Sequence, residues 1–244
     1  MIQKEPYDYP IAGKTCKGYL TYDNDTKEKR PAVILAHAWM GQNPFIREKA
    51  EQIASLGYLG LAVDLFGEGK TTADHLEARE MITPFVQDRQ LIRDHMNSVV
   101  EKLRNHPLVD SERIAAIGYC FGGVCALELA KSGADIKGVV SFHGVLGNPH
   151  SIKQKPIETA LQIPASILIL HGYKDSMVPE EDLLAFEKEM SRKGADWQVH
   201  VYGEAMHAFT NPSAQMPEIS LQYHEKSARR SWQAMENFLS EIFS

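Results

Sequence analysis

The sequence contains few cysteines and no long apolar run. The three cysteines, Cys16, Cys120 and Cys125, have neither metal-ligand nor disulfide spacing, so we expect reduced thiols and no metal. No apolar stretch approaches the roughly 20 residues of a membrane-spanning helix. The first residues, Met1-Ile2-Gln3-Lys4-Glu5, lack the apolar core of a signal peptide. These absences predict a cytoplasmic protein with no membrane partner.

The sequence also lacks a basic tract. Its formal net charge is −6, and the mixed-charge run from Asp23 to Arg30 is typical of a solvated loop. Nucleic acid is therefore not an expected partner. The composition, 43% hydrophobic and 24% charged, fits a single globular domain over residues 1–244. Such a domain buries about 70–75% of its unfolded surface. The sequence leaves open whether the chain is a monomer or a homodimer.

Short apolar runs alternate with helical patterns along the chain. Two leading strands precede a series of strand–helix units, which is typical of an α/β fold with a mostly parallel, doubly wound sheet and helices on both faces. Substrate sites of such sheets lie at the carboxyl ends of the strands. The predicted strands are residues 7–10, 16–22, 32–36, 59–64, 114–117, 136–142, 163–172 and 196–202. The predicted helices are residues 46–56, 74–103 with an interruption at Pro84, 124 to the stop at Gly133, 179–193 and 219–243.

The most informative stretch is residues 113–129. An apolar strand leads into it, an Ala- and Leu-rich helix follows, and Gly118, Cys120, Gly122 and Gly123 lie between them. A reactive side chain with glycines two residues before and after it is the pattern of a nucleophile elbow, which leaves no room for flanking β-carbons. At the N-terminus of the next helix, the dipole and the free N–H groups favour a thiolate. The alternative is a buried core cysteine beside glycines that only pack the helix on the strand.

A cysteine nucleophile needs a base, and the base needs an acceptor that orients it. Asp175 follows the predicted strand 163–172, and His207 follows the next strand along the chain. Each residue alone has an ordinary explanation, since Asp175 could cap a helix and His207 could be a surface loop residue. Together they give the chain order nucleophile, acid, histidine, which is the order of α/β-hydrolases.

Three motifs make the chain similar to the dienelactone hydrolase family of α/β-hydrolases from about Pro31 onward. They are Gly118-Tyr119-Cys120-Phe121-Gly122-Gly123, His171-Gly172 with Asp175 and Pro179, and Met206-His207-Ala208-Phe209. The resemblance implies an α/β-hydrolase fold and a Cys120–His207–Asp175 triad. This triad would hydrolyse small esters, thioesters or lactones through an acyl-enzyme, without a cofactor. Backbone N–H groups of Phe121 and Trp39 would then form the oxyanion hole.

The chain departs from the family pattern at two positions. Dienelactone-specific members have a glutamate where this chain has Ala38, and a carboxylate-binding arginine where it has Asn211. We therefore expect a preference for neutral substrates over carboxylate-bearing lactones. His37, Met40 and His143 are candidates for lining the site. Residues 145–162 would either cover the pocket as a partial lid or form an ordinary surface excursion.

The sequence leaves three functional alternatives beside the leading one. An acyl transferase or a carbon–carbon hydrolase could use the same triad, and a non-catalytic α/β-hydrolase-fold protein could bind a small ligand. The complete set of triad residues argues against the non-catalytic alternative, because a binding protein does not need all three. We therefore expect a cysteine hydrolase whose partner is a small-molecule ester or lactone.

Overall fold

The computed structural model describes residues 1–147 and 153–244. Its strands are β1 (Ile2–Ile11), β2 (Lys14–Asp23), β3 (Arg30–Ala36), β4 (Leu59–Ala62), β5 (Val109–Tyr119), β6 (Gly138–Phe142), β7 (Ser166–Gly172), β8 (Trp197–Tyr202), β9 (Gln215–Met216) and β10 (Leu221–Gln222). Its helices are α1 (Pro44–Ser55), α2 (His75–Gln87), α3 (Arg89–Arg104), α4 (Phe121–Lys131), α5 (Glu180–Arg192) and α6 (Glu225–Ile242), with a 3₁₀ turn at Pro217–Ile219. No helix in these described ranges is long and apolar enough to cross a membrane.

One sheet of eight strands organises the molecule, in the order β1-β2-β4-β3-β5-β6-β7-β8. β2 is antiparallel to both β1 and β4, whereas the remaining pairs, β4-β3, β3-β5, β5-β6, β6-β7 and β7-β8, are parallel. Every residue of β3 is buried, as expected for a parallel strand that is covered on both faces. The predicted α/β architecture with a mostly parallel sheet is therefore confirmed.

Helices cover both faces of this sheet and create two apolar cores. On one face, Ile92 and Met96 of α3 and Leu127 of α4 join the core. On the other face, Ile53 of α1 and Leu239 of α6 do so. Because the sheet is enclosed in this way, the ends of its strands are held rigidly, and the loops that follow β3, β5, β6 and β7 share the carboxyl edge of the sheet.

Three helices differ from the sequence-based expectation in ways that bear on the site. The interruption predicted at Pro84 is wrong, because α2 continues through Pro84. The break lies at Asp88, whose extended backbone and side-chain bond to the Gln90 amide begin α3. Helix α4 begins at Phe121, so Gly122 and Gly123 belong to its first turn. Helix α6 begins only at Glu225, because a 3₁₀ turn and the β9–β10 hairpin occupy the predicted first turns.

Candidate functional site

The turn between β5 and α4 places Cys120 in a conformation that side chains rarely adopt. Its φ is 57° and its ψ is −115°, and the backbone changes there directly from strand to helix. Its amide donates to the Phe142 carbonyl at 3.0 Å, which continues the β5–β6 ladder past the end of the strand. A strained φ of this kind persists only where the surrounding structure imposes it, and such sites are frequently functional.

The glycines around Cys120 explain how the turn is imposed. A Cβ on Gly118 would lie 1.9 Å from the Gly122 carbonyl oxygen, and one on Gly122 would lie 2.0 Å from the Ala36 carbonyl oxygen. A Cβ on Gly123 would lie 2.6 Å from Oγ of Ser141. The start of α4 therefore packs backbone against backbone on β3 and β5. This close approach is what a nucleophile elbow requires.

The structure brings Cys120, His207 and Asp175 into one hydrogen-bonded row. Sγ of Cys120 lies 3.0 Å from Nε2 of His207, and the His207 Nδ1–H donates to Oδ2 of Asp175 at 2.8 Å. The other carboxylate oxygen of Asp175 accepts from the Met177 amide at 2.9 Å. His207 and Asp175 are buried, whereas Cys120 is partly exposed. This order of contacts suits a nucleophile, a base and a group that orients the base.

Electrostatics at His207 oppose and outweigh its burial. Burial is the largest single influence and lowers the pKa of His207. The negative charge of a Cys120 thiolate and the hydrogen bonds to Asp175 and Cys120 act in the other direction, and together they raise the pKa to about 10. Its two partners therefore favour the protonated, imidazolium form of His207.

The loops that carry Asp175 and His207 are joined to each other directly. The Lys174 amide donates to the Ala205 carbonyl at 2.9 Å. The two loops pass so closely at Gly172 that a Cβ there would lie 2.6 Å from the Ala205 carbonyl oxygen. The glycine of the His171-Gly172 motif therefore allows the acid and the histidine to approach.

A cavity of about 210 Å³ opens at Cys120 and His207. Apart from Cys120, His207 and Arg89, its lining is hydrophobic, and Met177 and Ile219 remain partly exposed at 40% and 48%. The guanidinium of Arg89 donates to Glu128 at 2.9 Å and to the Gly147 carbonyl at 3.0 Å. The cavity is lined by Trp39, Ile82, Val86, Arg89, Ile92, Cys120, Phe121, Val124, Val145, Met177, His207, Ile219 and Leu221.

Both residues proposed for the oxyanion hole lie beside this cavity. Phe121 is the first residue of α4, where an amide has no acceptor within the helix. Trp39 lies in the loop after β3, and its indole faces the ring of His75 with 5.2 Å between centroids. Phe121 and Trp39 both border the cavity. Their proximity to Cys120 is compatible with the predicted oxyanion hole.

The other predicted lining residues lie elsewhere. Among the described residues that border the cavity, His37, Met40 and His143 are absent. His37 is fully buried: its Nδ1–H donates to the Ala38 carbonyl and its Nε2 accepts from the Leu65 amide. Burial lowers the pKa of His37 to about 4, so it stays neutral. The Met40 carbonyl accepts from the Thr72 amide, which holds the same loop.

His143 lies behind His207. Its ring packs edge to face on His207 with 5.3 Å between centroids, and its Nε2 lies 2.8 Å from Oγ1 of Thr210. Burial, and then the charge of His207, lower the pKa of His143 well below its ordinary value. His143 therefore presents a neutral ring to His207. Its hydrogen bond reaches the turn that follows His207.

Sequence reasoning missed the 217–222 segment. Ile219 and Leu221 border the cavity, and the buried Ser220 between them bonds to the loop that carries Asp175. Helical periodicity had assigned part of this segment to α6. Its only local signal is Pro217, which favours a turn.

Of the predicted lid segment 145–162, residues 148–152 lie outside the described residues. Of the described part, Val145 borders the cavity, and Ala160 bonds through its amide to the Lys131 carbonyl.

Comparisons with known proteins point to one family. A model of the dienelactone hydrolase family matches residues 16–243. The solved structure of m3DLH has a TM-score of 0.92 and 36% identity, covering 100% of this chain and 99% of that one. A dienelactone hydrolase-like promiscuous phosphotriesterase from metagenomic libraries has a TM-score of 0.90 and 33% identity, with the same coverage of both chains. A Bradyrhizobium protein named a probable 2-oxo-3-(5-oxofuran-2-ylidene)propanoate lactonase is 30% identical over 183 residues, which are 73% of each chain.

Proposed function

Since the chain belongs to the dienelactone hydrolase family of ester and lactone hydrolases, we propose that it cleaves neutral substrates through Cys120, His207 and Asp175. The sequence-based resemblance to this family is confirmed. The observation that carries the proposal is the row of contacts from Cys120 Sγ through the His207 imidazole to Asp175 Oδ2, at 3.0 and 2.8 Å. The row ends at an apolar cavity into which an acyl group fits.

The first half of the reaction forms an acyl-enzyme. His207 Nε2 holds the proton that the Cys120 thiol gives up, and Sγ attacks the acyl carbon, so that a C–S bond forms and the carbonyl electron pair moves to oxygen. The amides of Phe121 and Trp39 would donate to this oxyanion; loss of one such donor costs about 10²- to 10³-fold in kcat. When the intermediate collapses, the C–O bond breaks and the leaving oxygen receives the proton from His207. In a lactone the new alcohol stays attached to the acyl group.

The second half releases the product. A water molecule gives its proton to His207 Nε2 and attacks the thioester carbon. The C–S bond then breaks, and the sulfur takes the proton back or remains a thiolate beside the imidazolium. Asp175 keeps the Nδ1–H bond throughout, which fixes the orientation of the ring and stabilises its charged form.

The cavity favours a compact, uncharged acyl group. An apolar protein cavity of about 150 Å³ is large enough to hold benzene, so the 210 Å³ here admits an aryl or short branched acyl group. The cation at its border, Arg89, is bonded to Glu128, which also accepts from Arg93 at 2.9 Å. A substrate carboxylate would have to compete with that buried ion pair, so a neutral group is preferred.

Phosphotriester hydrolysis is a second candidate, because the phosphotriesterase neighbour matches the whole chain at 33% identity. A neutral phosphotriester offers an uncharged electrophile and, when one ester is an aryl ester, a good leaving group. Cys120 Sγ would attack phosphorus, the P–O bond to the aryl group would break, and His207 would protonate the departing oxygen. Water would then cleave the P–S bond and release the phosphodiester.

Nitrophenyl esters test the proposal directly. We expect a burst of nitrophenol from a short-chain nitrophenyl ester, followed by steady turnover, and a loss of at least about 10³-fold in Cys120→Ala and in His207→Ala. Cys125→Ser is the matched control, because Cys125 is buried within α4 and does not border the cavity. The panel includes a neutral lactone, its carboxylated analogue and diethyl nitrophenyl phosphate.

Each outcome of the panel has a defined meaning. Near-native esterase activity in Cys120→Ala would contradict the triad. Preference for the carboxylated lactone would contradict the neutral substrate class while leaving the triad intact. Cys120-dependent release from the phosphotriester at a higher kcat/KM than from every ester would make the second candidate the principal activity.

A further inference from the structure

The hydroxyl of Ser220 bridges the two residues on either side of Asp175. It accepts from the Ser176 amide at 3.0 Å and donates to the Lys174 carbonyl at 3.0 Å. Ser220 is 6% exposed, so water does not replace these bonds readily. The hydroxyl therefore donates one hydrogen bond to the loop that carries Asp175 and accepts one from it.

The backbone around Ser220 is shaped to make this contact. Ser220 has a φ of 63° and a ψ of 20°, which is the left-handed region, and its amide donates to the Pro217 carbonyl at 3.0 Å. A serine in this region costs about 1 kcal/mol or more relative to glycine. Glycine would form this turn more easily, so the hydroxyl is the feature that distinguishes the residue present here.

The same segment also contacts His207. The Gln222 amide donates to the His207 carbonyl at 3.1 Å, and Leu221 pairs with His207 as an isolated parallel bridge. The residues flanking Ser220, Ile219 and Leu221, border the catalytic cavity. Within six residues, the 217–222 segment thus touches the substrate cavity, the acid loop and the histidine loop.

We propose that Ser220 is a positioning residue of the triad, because its hydroxyl holds the loop that aligns Asp175 with His207. This inference rests on the proposed hydrolase function.

The bridge predicts a particular kinetic signature. Ser220 touches no substrate atom, so its loss leaves KM within about threefold. Misplacement of a catalytic group by about 1 Å can cost on the order of 10²-fold. We therefore expect removal of the hydroxyl to lower kcat by about 10- to 100-fold.

The pH profile gives an independent readout. The titratable groups that face His207 are Cys120 from the elbow and Asp175 from the acid loop, while His143 and His171 also interact with it from the ends of β6 and β7. Asp175 raises the pKa of His207 by its hydrogen bond and its charge. A displaced carboxylate would do so less well. The alkaline limb of kcat/KM should therefore move to lower pH in variants that lack the hydroxyl.

Three substitutions of Ser220 distinguish the effect of its hydroxyl from the effect of its backbone conformation. Ser220→Gly accepts the left-handed conformation and lacks the hydroxyl, Ser220→Ala lacks the hydroxyl with a small side chain, and Ser220→Thr keeps the hydroxyl at some backbone cost. Ser231→Ala is the matched control, since Ser231 is a buried serine of α6 that donates to the Ala228 carbonyl away from the site. All are assayed on a nitrophenyl ester below their melting temperatures, with Cys120→Ala as the blank.

The expected result is a fall in kcat in Ser220→Gly and Ser220→Ala, with the shifted alkaline limb, and near-native kcat in Ser220→Thr and Ser231→Ala. Full activity in Ser220→Gly would overturn the inference while leaving the triad in place. So would equal losses in Ser220→Gly and Ser220→Thr without a change in the pH profile. Failure of the proposed function looks different, because the unsubstituted protein would then turn over no faster than Cys120→Ala.

Discussion

The two halves of the candidate site are held by different kinds of force. On the elbow side, Cys120 is fixed by the exclusion of side chains, because Gly118 and Gly122 lie where a Cβ would be within 2.0 Å of a carbonyl oxygen. On the loop side, Asp175 and His207 are held by hydrogen bonds from residues far along the chain. The bridge from Ser220 to Lys174 spans 46 residues, and the bond between His143 and Thr210 spans 67.

This difference teaches where the site is tolerant. Steric exclusion is nearly all-or-none, since a methyl group added at either glycine would collide with the backbone of a neighbouring element. A hydrogen bond typically contributes a net stabilisation of about 0.5–1.5 kcal/mol. The loss of one bond therefore weakens the alignment of the loop without abolishing it. We infer that the elbow determines whether Cys120 reaches its position at all. The hydrogen bonds of the loop side determine how well Asp175 and His207 are aligned with it.

The largest effect should come from breaking the elbow. In Gly122→Ala the new Cβ would meet the Ala36 carbonyl oxygen at 2.0 Å, so either α4 separates from β3 or the protein does not fold. We expect no soluble protein, or a loss of esterase activity of at least about 10³-fold through the lost geometry of Cys120. Solubility, circular dichroism and nitrophenyl ester hydrolysis measure this.

Gly203→Ala is the control for that substitution. A Cβ on Gly203 has no heavy atom within 4 Å, and Gly203 does not require a left-handed backbone. It should change stability by less than about 1 kcal/mol, as surface substitutions generally do. A soluble and active Gly122→Ala protein would show that steric exclusion does not fix the nucleophile.

An intermediate effect should come from the loop side. Thr210→Val keeps the shape of the side chain but removes the partner of His143 Nε2, which leaves a buried polar atom unsatisfied. We expect a loss of about 1–3 kcal/mol in unfolding free energy and about a tenfold fall in kcat, because the turn after His207 is less well held. Urea denaturation and steady-state kinetics give the two numbers.

Thr21→Val separates a local effect from a general one. Oγ1 of Thr21 is buried and lies within hydrogen-bond distance of the Ala50 and Gly60 carbonyls, away from the row of Cys120, His207 and Asp175. This variant should lose stability while keeping kcat. If Thr21→Val and Thr210→Val reduced kcat equally, the loop side would have no special sensitivity and the comparison would fail.

The smallest effect is the loss of folding stability at acidic pH. Burial lowers the pKa values of both His37 and His95 to about 4 from an ordinary value of 6.5. The unfolded chain therefore binds more protons than the folded protein between these two values, and the stability contributed by each neutral histidine is lost as the pH falls through this window. By linkage, each of the two histidines should lower the free energy of unfolding by about 1 kcal/mol at about pH 5.5 relative to neutral pH.

His95→Leu tests this pH dependence. His95 packs its ring edge on Tyr9, and its Nε2 has no hydrogen-bond partner among the described residues. The substitution should flatten the curve of unfolding free energy against pH between about 7 and 5. An unchanged slope would mean that His95 is not kept neutral by burial. The activity of the folded protein at neutral pH should be unaffected.

The elbow could be predicted from sequence because its determinants are neighbours in the chain. The spacing of Gly118, Cys120 and Gly122 is enough to predict the turn. The positions of Asp175 and His207 after their strands follow from the order of the strands. The 217–222 segment could not be predicted, since the contacts of Ser220 depend on where the Asp175 loop lies in space. The same reason applies to His37, which was a candidate for lining the site. Its position after β3 is evident from the sequence, but its bond to the Leu65 amide is not.

The position of Trp39 has a consequence for spectroscopy. The chain has three tryptophans; Trp39 borders the cavity, whereas Trp197 lies in β8 and Trp232 in α6. Indole fluorescence responds to the polarity of its surroundings, so the emission of Trp39 reports whether water or an acyl group fills the cavity. With the other two indoles as a constant background, occupancy becomes visible in the intact protein without a chromogenic leaving group.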